Sequence, residues 1–558
     1  MLVVFEGIDG SGKTTLSNRV AKVLARRGVD VRHVREGGRL NSPTAEAIRL
    51  FARDQRNAAL SPVAEMLLYA ARDAQQLDEA MRPALADADV VIADRFAYTA
   101  LVMATTGRGV PLEQVRPVVD AVARDVTPDL MILVDAEPHI ARARRRVSKI
   151  VEPTSRPPSR KGLSGEGLMQ RLRGGYRALA QAHPESWVIV DNTDADLDAT
   201  VDGLVAAIDA LRAGGGVAGA RAALAATVAR SEPAPAPTDL RGARAAFLDW
   251  VDGRSAREPG LAAYFMGGLA GPDYDQRRLA LVERVPAIIA DGLGGLDDAV
   301  TWGLRQRLAK VAPGIIVRGL WEAAGRSPAA WALREQLVAL APAEVASSLR
   351  GLHEARAWVL RERLTEVAPL AVLASLSGDG STRAWRWRES WLAHAGGEDA
   401  FVDPLAARAA CHSVSGLAGE KAWAWRRHAR LAAPAAALAS LYRLTDEQAW
   451  TWRREWLARA PRPVLRSLDG LDDERAHELR QHGLPVAPEA IGSLRGLDSQ
   501  RARALREAAV ARWPVAVAKS LAGPLAATPR GQALLRRLLA RHPTHVGLWK
   551  HIGAAVLP

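Results

Sequence analysis

Short apolar runs alternate with helical stretches through the first 212 residues of the chain. Each run is followed by a polar or glycine-rich turn, and the intervening stretches carry apolar residues at helical spacing. The runs predicted as strands are Leu2–Glu6, Val29–Val34, Val90–Ala93, Leu130–Val134 and Trp187–Val190. This alternation is typical of parallel βαβ units, so we expect an α/β domain with a parallel sheet flanked by helices.

The alternation stops between residues 213 and 240. Ala213-Gly214-Gly215-Gly216 begins this segment, and Glu232–Pro237 is a Pro/Ala tract without core-forming residues. Val217–Arg230 between them is compatible with a helix. We interpret residues 213–240 as a partly extended Gly/Pro/Ala linker, which predicts a first domain over residues 1–212 and a second over residues 241–558.

The second region consists of internal repeats. Each repeat contains Trp-x-Leu-Arg, then Ala-Pro, then Ser-Leu-x-Gly-Leu. The anchoring arginine recurs at Arg305, Arg334, Arg361, Arg388, Arg426, Arg453, Arg480 and Arg506, at steps of 26 to 29 residues, with one step of 38 that marks an insertion around Gly396–Cys411. A regular period of this length predicts stacked structural units.

Each repeat has the features of two short helices. Asp446 and Glu447 precede an apolar stripe, and acidic residues favour a helix start. The following proline ends the first helix and opens the second, and the glycine of Ser-Leu-x-Gly-Leu ends the second. Because one such hairpin cannot bury its own apolar face, stacked copies predict an all-α solenoid.

Tryptophan stands three residues before most of the anchoring arginines. The simpler interpretation is that these rings pack between adjacent hairpins. The alternative is an exposed ladder of aromatic and arginine side chains that stacks on nucleic-acid bases. We favour packing, and we expect the repeats to dock a protein or nucleic-acid partner.

The composition narrows the function classes. The formal net charge is +13 with a pI near 10.3, which suits phosphate-bearing partners, although the arginines are spread along the chain in the manner of solvated helix faces. A single cysteine, Cys411, excludes an internal disulfide framework. No apolar run reaches the ~20 residues that span a bilayer. The twelve histidines are scattered, so we expect no zinc site. From the cysteine content and the absence of long apolar runs we expect a cytoplasmic protein without a membrane partner.

One motif carries specific chemistry. The stretch from Gly7 to Thr14 matches G-x-x-x-x-G-K-[ST] in full, follows an apolar strand and precedes an amphipathic helix. Its glycines allow backbone N–H groups to surround phosphate oxygens, Lys13 supplies a full charge, and the Thr14 hydroxyl can ligate Mg²⁺. The residues predicted to bind ATP are Gly7, Ile8, Asp9, Gly10, Ser11, Gly12, Lys13, Thr14 and Thr15.

Two further charged elements complete the predicted site. Asp94 ends a buried strand beside the nucleotide crevice, where it can hold a metal's water shell or orient an acceptor. Arg95 can bridge the acceptor phosphate and the transferred group. The dense run of arginines from Arg142 to Arg146, with Lys149, Arg156, Arg160 and Lys161 beyond it, is either a solvated helix end or a lid that closes over the phosphates. We expect Lys13, Asp94, Arg95, Arg142 and Arg145 to be catalytic, and Thr14 and Asp94 to serve the metal.

Together these residues resemble the thymidylate kinase family of P-loop nucleoside monophosphate kinases. The stretch Phe5–Thr15 is similar to that family's phosphate-binding loop almost throughout. The other resembling elements are Arg35-Glu36-Gly37-Gly38, Ala47-Ile48-Arg49, Glu65–Arg72, Asp94-Arg95-Phe96, Gly107-Arg108-Gly109 and Gly175–Leu179. The resemblance extends over roughly residues 1–212 and leaves the repeats without an assigned function.

The resemblance implies a set of roles. Asp9 would contact the 3′-hydroxyl of the acceptor sugar, Arg49 and Arg95 would hold its phosphate, Arg72 would bond the base, and the lid arginines would serve the transfer. The implied reaction is ATP plus dTMP giving ADP plus dTDP, with Mg²⁺ as cofactor. Related kinases are usually dimers, so a homodimer is also implied.

Two departures concern the base pocket. Leu68 stands where the family has a stacking phenylalanine, with Tyr69 beside it, and Met103–Thr106 replaces the family's Tyr-Gln-Gly-Gly. Because a lost hydrogen-bonding group changes base choice, two alternatives stay open. One is a kinase for a different nucleotide or for a nucleic-acid end. The other is an ATP-binding sensor whose solenoid binds protein or nucleic acid.

Overall fold

The computed structural model describes residues 1–35, 41–153, 159–228, 237–321, 324–521 and 523–555. Glu36, Gly37 and Gly38 of the predicted turn, Arg156 of the predicted lid and most of the Pro/Ala tract lie outside these ranges. The described chain forms two compact units, built mainly from Met1–Arg146 with Glu166–Pro233 and from Ala234–Pro558.

A parallel sheet forms the centre of the first unit. Its strands are β1 (Leu2–Glu6), β2 (Val31–Val34), β3 (Val90–Asp94), β4 (Leu130–Asp135) and β5 (Trp187–Asp191). They lie in the order β2-β3-β1-β4-β5, and every pair of neighbours is parallel. The strand order doubles back at β1, so the crevice at the carboxyl ends of β1 and β3 is where an α/β fold binds its ligand.

Alternation along the strands divides the core into two layers. Leu2 and Val4 face one layer of helices, whereas Val3 and Phe5 face the other. The flanking helices are α1 (Lys13–Arg26), α2 (Pro43–Arg53), α3 (Pro62–Gln76), α4 (Arg82–Asp87), α5 (Tyr98–Val102), α6 (Leu112–Ala123), α7 (Pro138–Val151), α8 (Gly167–Ala182), α9 (Leu197–Ala210) and α10 (Gly216–Thr227). The prediction of a parallel sheet flanked by helices is confirmed.

The chain after α9 continues to pack on the first unit. A π-helical turn over Leu211–Gly215 leads into α10, whose Ala220 and Leu224 are buried against the core beneath β1, β3 and β4. Part of the segment interpreted as a linker is therefore helical here. The division at residues 212 and 240 stays a prediction.

The second unit is helical throughout its described residues. Its helices are α11 (Leu240–Arg257), α12 (Pro259–Met266), α13 (Pro272–Leu281), α14 (Pro286–Gly292), α15 (Ala299–Leu308), α16 (Pro313–Arg318), α17 (Pro328–Leu337), α18 (Pro342–Ser348), α19 (Ala355–Leu364), α20 (Pro369–Ser375), α21 (Thr382–His394), α22 (Pro404–Ser413), α23 (Glu420–Ala429), α24 (Pro434–Ala439), α25 (Glu447–Trp456), α26 (Pro461–Arg466), α27 (Glu474–Gly483), α28 (Glu489–Gly492), α29 (Gln500–Ala509), α30 (Pro514–Ser520), α31 (Pro524–Ala527), α32 (Pro529–Arg541) and α33 (Val546–Ala555). The insertion around Gly396–Cys411 forms a 3₁₀ turn over Gly397–Val402 and the start of α22. Proline at the first helical position opens most second helices, as the repeat pattern predicts.

The hairpins form two layers. The second helices, from α14 to α30 along the even numbers, contact one another in unbroken succession, whereas the first helices touch one another much less. Neighbouring helices lie closer together on the inside of a curved stack, so the second helices form the inner layer and the first helices form the outer layer. Because α33 contacts α12 as well as α30, and also lies along α11, the inner layer closes on itself. The repeats therefore form a closed ring.

The anchoring arginines are buried inside this ring. The guanidinium of Arg453 donates to the carbonyls of Leu441 and Leu444 at 2.7 Å each, and its Nε donates to Ser467 Oγ at 3.0 Å. These groups end the second helices of two successive repeats, so one side chain caps both. The same arrangement recurs at Arg426 and Arg506.

The repeated tryptophans pack against these arginines. Trp331, Trp358, Trp423 and Trp450 are each at most 6 % exposed. The Arg453 guanidinium lies 4.6 Å from the centroid of the Trp450 ring, within cation–π range. Packing is confirmed for these four rings. The alternative of an exposed ladder of aromatic and arginine side chains is wrong, because the anchoring arginines are buried and cap helix ends.

Within the described residues, no helix is long and apolar enough to cross a bilayer.

Candidate active site

Two positions in the loop between β1 and α1 have a backbone conformation that only glycine tolerates. Gly7 and Gly10 have φ of 142° and 89°. A Cβ at Gly7 would lie 2.4 Å from the Val134 carbonyl oxygen, and one at Gly10 would lie 2.1 Å from that of Ala141. Both contacts are with backbone, so the loop cannot relax around a side chain. The tight turn leads directly into the N-terminus of α1, which favours an anion.

The side chains of the loop are arranged around its centre. Lys13 is buried, and its Nζ donates to the Ile8 carbonyl at 3.2 Å. Burial, reinforced by the nearby Arg95 guanidinium, lowers the pKa of Lys13 to about 8. Ser11 Oγ is buried without a hydrogen-bond partner among the described residues. Thr15, also predicted to bind ATP, is exposed on the first turn of α1.

Asp94 stands at the end of β3 beside this loop. Its Oδ2 accepts a hydrogen bond of 2.5 Å from Thr14 Oγ1, while its Oδ1 is buried without a partner in the described chain. Burial opposes the charge, but Lys13 and Arg95 outweigh it and lower the pKa of Asp94. A permanently charged carboxylate beside a threonine hydroxyl is an oxygen donor set that fits Mg²⁺.

Arg95 has a backbone conformation that few residues adopt. Its φ is 85°, in the left-handed region, and such strain is concentrated at functional sites. The guanidinium pairs with Asp9 at 2.6 Å and lies 3.5 Å from Glu6. Burial disfavours the charge, yet Tyr176, Asp9 and Glu6 together raise the pKa of Arg95. Arg95 is therefore a fixed cation at the mouth of the phosphate loop.

A cavity of about 200 Å³ opens beside Arg95. The residues that line it are Asp9, Lys13, Thr14, Arg35, Arg49, Arg53, Tyr69, Arg72, Asp94, Arg95, Thr99, Arg145 and Lys161. Eight of these side chains are cationic and two are carboxylates. Such an excess of positive charge in a concave site attracts anionic groups of high charge density, such as phosphates.

Helix α2 supplies two of these cations. Arg49 is 7 % exposed and pairs with Glu46 at 2.5 Å, and its Nε is buried without a partner among the described residues. Arg53 follows four residues later on the same face of the helix and also lines the cavity. The two guanidinium groups thus converge on one wall.

Helix α3 supplies an aromatic wall. Tyr69 lines the cavity, its ring centroid lies 4.8 Å from the Arg72 guanidinium, and its hydroxyl is buried without a partner in the described chain. Leu68 instead packs against the core beside α3. Arg72 Nε donates to Asp73 at 2.7 Å. The aromatic surface that the sequence lacks at residue 68 is therefore supplied by Tyr69.

The other departure from the family pattern lies away from the cavity. Met103 and Ala104 are each 2 % exposed and belong to the core. The hydroxyls of Thr105 and Thr106 donate to carbonyls one turn earlier, at 2.8 and 2.9 Å. None of the four lines the cavity, so the change in this segment acts at most indirectly on the substrate.

The predicted lid contributes Arg145 and Lys161 to the cavity, but not Arg142, which pairs with Glu166 instead. Lys161 has the largest single influence on Asp9, and with Arg95 and Lys13 it lowers the pKa of that carboxyl well below its ordinary value. Burial lowers the pKa of Lys161 itself to about 7.

A latch of buried ion pairs holds the segment that carries Lys161. Arg160 pairs with Glu65 at 2.6 Å, and Arg108 pairs with the same carboxylate at 2.7 Å. Arg160 Nε also donates to the Ala52 carbonyl at 3.3 Å, and Ser159 forms a β-bridge with Asp54. These contacts place Lys161 over α2 and α3.

Most of the residues predicted for the site meet at this cavity. The predicted residues that line it are Asp9, Lys13, Thr14, Arg49, Arg72, Asp94, Arg95 and Arg145. The predicted residues that do not are Gly7, Ile8, Gly10, Ser11, Gly12, Thr15 and Arg142. Arg35, Arg53, Tyr69 and Thr99 line it without having been predicted as site residues, and Lys161 was predicted only as part of the lid. Arg53 was detectable from its spacing of four residues from Arg49. Among the described residues, no group of three or more His, Cys, Asp or Glu side chains is arranged to hold a metal.

The parallel sheet, the phosphate loop at its first strand and the adjoining cationic cavity define a P-loop nucleoside monophosphate kinase. A thymidylate kinase family model matches residues 5–201. The thymidylate kinase of Chlorobium chlorochromatii is 35% identical over 198 residues, which are 35% of this chain and 87% of that relative. The thymidylate kinase of Trichlorobacter lovleyi is 37% identical over 195 residues, 35% of this chain and 90% of the relative.

The chain belongs to the thymidylate kinase family. A crystal structure of thymidylate kinase from Ehrlichia chaffeensis is 26% identical, covers 34% of this chain and 86% of its own, and gives a TM-score of 0.27. The matched family segment ends at residue 201, so the ring of repeats lies beyond it.

Proposed function

We propose that this chain transfers the γ-phosphoryl group of ATP to dTMP, giving ADP and dTDP. The observation that carries the proposal is the cavity whose eight cationic side chains adjoin the phosphate loop. An acceptor phosphate held there would face the loop that holds the donor. Two phosphate groups can approach each other only where their charge is neutralised from several directions, which this arrangement supplies.

Each wall of the cavity would hold a different part of the substrates. The loop from Gly7 to Thr15 would bind the donor phosphates through its backbone N–H groups and Lys13. Arg49, Arg53 and Arg95 would bind the acceptor phosphate, and Tyr69 would lie against its base, with the unpartnered hydroxyl free to bond it. Arg72 would bond the base edge.

The transfer itself needs positioning and charge compensation. An oxygen of the acceptor phosphate attacks the γ-phosphorus of ATP, the bond from that phosphorus to the oxygen shared with the β-phosphate breaks, and ADP leaves with those electrons. Arg95 would lie between the two phosphates, and Arg145 and Lys161 would close over the transferred group. Thr14 and Asp94 would hold Mg²⁺, which supplies charge neutralisation of the donor phosphates when bound.

A panel of acceptors tests the proposal. The purified chain is assayed for ADP release with Mg²⁺, ATP and each of dTMP, dUMP, UMP, CMP, GMP and AMP. We expect turnover with dTMP above all others, and we expect Lys13→Ala to abolish it. Turnover that is highest with another monophosphate contradicts the assignment of dTMP. ATP binding without turnover of any acceptor contradicts the kinase assignment.

A further inference from the structure

The net charge of the chain is concentrated in the repeats. Residues 241–558 carry 44 of the 75 Lys and Arg residues and 32 of the 62 Asp and Glu residues, so they hold +12 of the formal +13. The first 240 residues are almost neutral in total, in spite of the cationic cavity. A region with this much positive charge attracts polyanions over several ångströms. Whether these cations can bind a polyanion depends on where they lie in the ring and on whether carboxylates already pair with them.

Some cations on the outer layer of the ring are neutralised. They pair with carboxylates of adjacent repeats in Arg363–Glu335, Arg383–Glu362, Lys421–Glu389, Arg475–Glu447, Arg501–Glu474 and Arg537–Glu507. Each pair joins one first helix to the next. These contacts account for six outer cations. Other exposed cations of the outer layer form no ion pair in the described chain, namely Lys310, Arg386, Arg430, Arg459, Arg512 and Arg536.

The inner layer carries exposed cations that share one face of the ring. Six exposed arginines lie on the second helices or directly after them, namely Arg318, Arg350, Arg408, Arg443, Arg466 and Arg495. None of the six forms an ion pair with any residue in the part of the chain that the structure describes. The carboxylates of this layer include Asp291 on α14 and Glu344 on α18. Glu489 pairs with Arg462 at 3.4 Å, and Asp469 lies within electrostatic range of Arg443 and Arg495 without pairing with either.

Three basic groups of the inner layer lie close enough to repel one another. Partial burial and the Arg408 guanidinium lower the pKa of Arg350. Burial, followed by Arg350 and Arg408, lowers the pKa of His412 to about 4. No carboxylate contributes to either shift. An anion bound between these groups would remove the repulsion.

Arg443 occupies a strained position. Other repeats have glycine there, with φ of 73° at Gly351, 73° at Gly416 and 79° at Gly496, whereas Arg443 has φ of 60°. Glycine adopts this left-handed conformation without cost and an arginine does not. A strained residue of this kind indicates a function for its side chain.

We propose that the inner layer of the ring binds the phosphodiester backbone of nucleic acid without reading its sequence. Arginines spaced along successive helices match a chain of regularly spaced phosphates, and phosphate contacts position a nucleic acid without discriminating bases. Small inner residues beside the arginines, such as Ala343, Ser347 and Gly492, allow a backbone to approach closely. This activity is separate from the phosphoryl transfer proposed above and does not depend on it.

Fluorescence anisotropy with the full-length chain tests the proposal. The probes are a labelled 30-base-pair DNA duplex and one of its single strands, titrated between 50 and 300 mM salt. We expect binding whose logarithm falls linearly with the logarithm of salt concentration, by about 0.9 per engaged arginine for the duplex and about 0.7 for the single strand. The two probes show which form of the backbone is preferred.

Paired variants locate the surface. Arg350→Ala with Arg408→Ala should reduce the duplex slope by about 1.8, because two phosphate contacts are lost. The corresponding Lys substitutions should retain it, since a point charge suffices. The control, Arg363→Ala with Arg501→Ala, removes the same charge from the outer layer and should change the affinity by less than about twofold. Lys13→Ala should bind the duplex as the parent chain does.

Several results would overturn the proposal. They are absence of binding at 50 mM salt, equal losses for the inner and outer variants, loss of binding in Lys13→Ala, and competition by polyglutamate as effective as that by unlabelled duplex. A further variant distinguishes a loss of nucleic-acid binding from a folding defect. Arg443→Gly should raise the melting temperature, because it relieves the strained backbone, and should still weaken binding. Unchanged binding in this variant also contradicts the proposal.

Discussion

Buried arginines occur in both units of this protein, but they lie in different surroundings. In the ring, Arg453 donates to three partners that end two helices. In the cavity, Arg49 and Arg35 each keep an Nε that is buried without a partner among the described residues. The ring arginines are enclosed by the helices that they cap, although Arg361, Arg426 and Arg506 also keep a buried Nη1 without a partner in the described chain. The cavity arginines instead line an open cavity, where an anion can reach them.

The pKa values do not reveal this difference. Burial lowers the pKa of Arg453 to about 10, and burial together with Arg72 lowers the pKa of Arg35 to about 10 as well. Desolvation is similar at the two positions. What differs is the surroundings of each guanidinium, because Arg453 lies between helix ends whereas Arg35 lines the cavity. Access from the cavity therefore separates a binding cation from a structural one.

The largest expected effect is on catalysis, when an arginine of the cavity is removed. Arg95→Ala should lower kcat/KM for dTMP by about 10³-fold, because a preorganised cation between the two phosphates is lost. Steady-state kinetics measures the effect. The matched control is Arg363→Ala, an exposed arginine of the ring, which should leave kcat/KM unchanged. A loss of less than about tenfold for Arg95→Ala contradicts the role given to this residue.

The reverse experiment removes a ring arginine. Arg453→Ala should lower the free energy of unfolding of the ring by about 3 kcal/mol, because buried carbonyls of two helices lose their donor. Of the 16 tryptophans, 15 lie beyond residue 240, so urea unfolding followed by tryptophan fluorescence reports mainly on the ring. Arg49→Ala should leave this transition unchanged while it weakens dTMP binding. Equal destabilisation by both variants would remove the distinction between the two kinds of arginine.

A pH profile sharpens the comparison at the lid. Burial lowers the pKa of Lys161 to about 7, so the free enzyme loses this positive charge as the pH rises through 7. We expect kcat/KM to fall about tenfold between pH 6 and pH 8. Lys161→Arg should flatten the profile in that window, because a guanidinium stays charged. Lys13, with a pKa of about 8, adds a further decline above that window. An identical profile for parent and Lys161→Arg contradicts the assignment.

The smallest expected effect concerns the aromatic wall. Tyr69→Phe removes a buried hydroxyl that has no partner in the described chain, and we expect KM for dTMP to rise about three- to tenfold, the value of one hydrogen bond. Kinetics with dTMP and dUMP measures the change. Leu68→Ala is the control, since Leu68 packs in the core outside the cavity. A KM unchanged in Tyr69→Phe would show that the hydroxyl does not meet the base.

Local pattern predicted the parts of this structure that depend on local physics. The five strands, the glycine loop and the two-helix repeats follow from apolar periodicity, glycine spacing and proline position. Closure of the ring did not follow, because the contact of α33 with α11 and α12 joins segments almost 300 residues apart. The burial of the arginine anchors was also missed, since a sequence does not show which carbonyls a long side chain reaches.

The residues of the candidate site also fall into those that local sequence motifs predict and those that only the tertiary structure reveals. Lys13, Asp94 and Arg95 belong to short motifs with a fixed geometry, and all three line the cavity. Lys161 reaches it through tertiary ion pairs of Arg160 and Glu65, which no spacing along the chain reveals. Tyr69 was identified only as a neighbour of Leu68, because a shift of one residue on a helix turns a side chain by about 100°. The roles of these residues, the homodimer and the partner of the repeats stay predictions.

Calorimetric titration of the full-length chain with dTMP and with thymidine tests the central claim most directly. If the unpartnered cations of the cavity await a phosphate, dTMP should bind at least about 100-fold more tightly than thymidine, since at least two charge-assisted hydrogen bonds depend on that group. Comparable affinities for the two compounds would contradict the claim, because the cations would then not distinguish a phosphate from a hydroxyl.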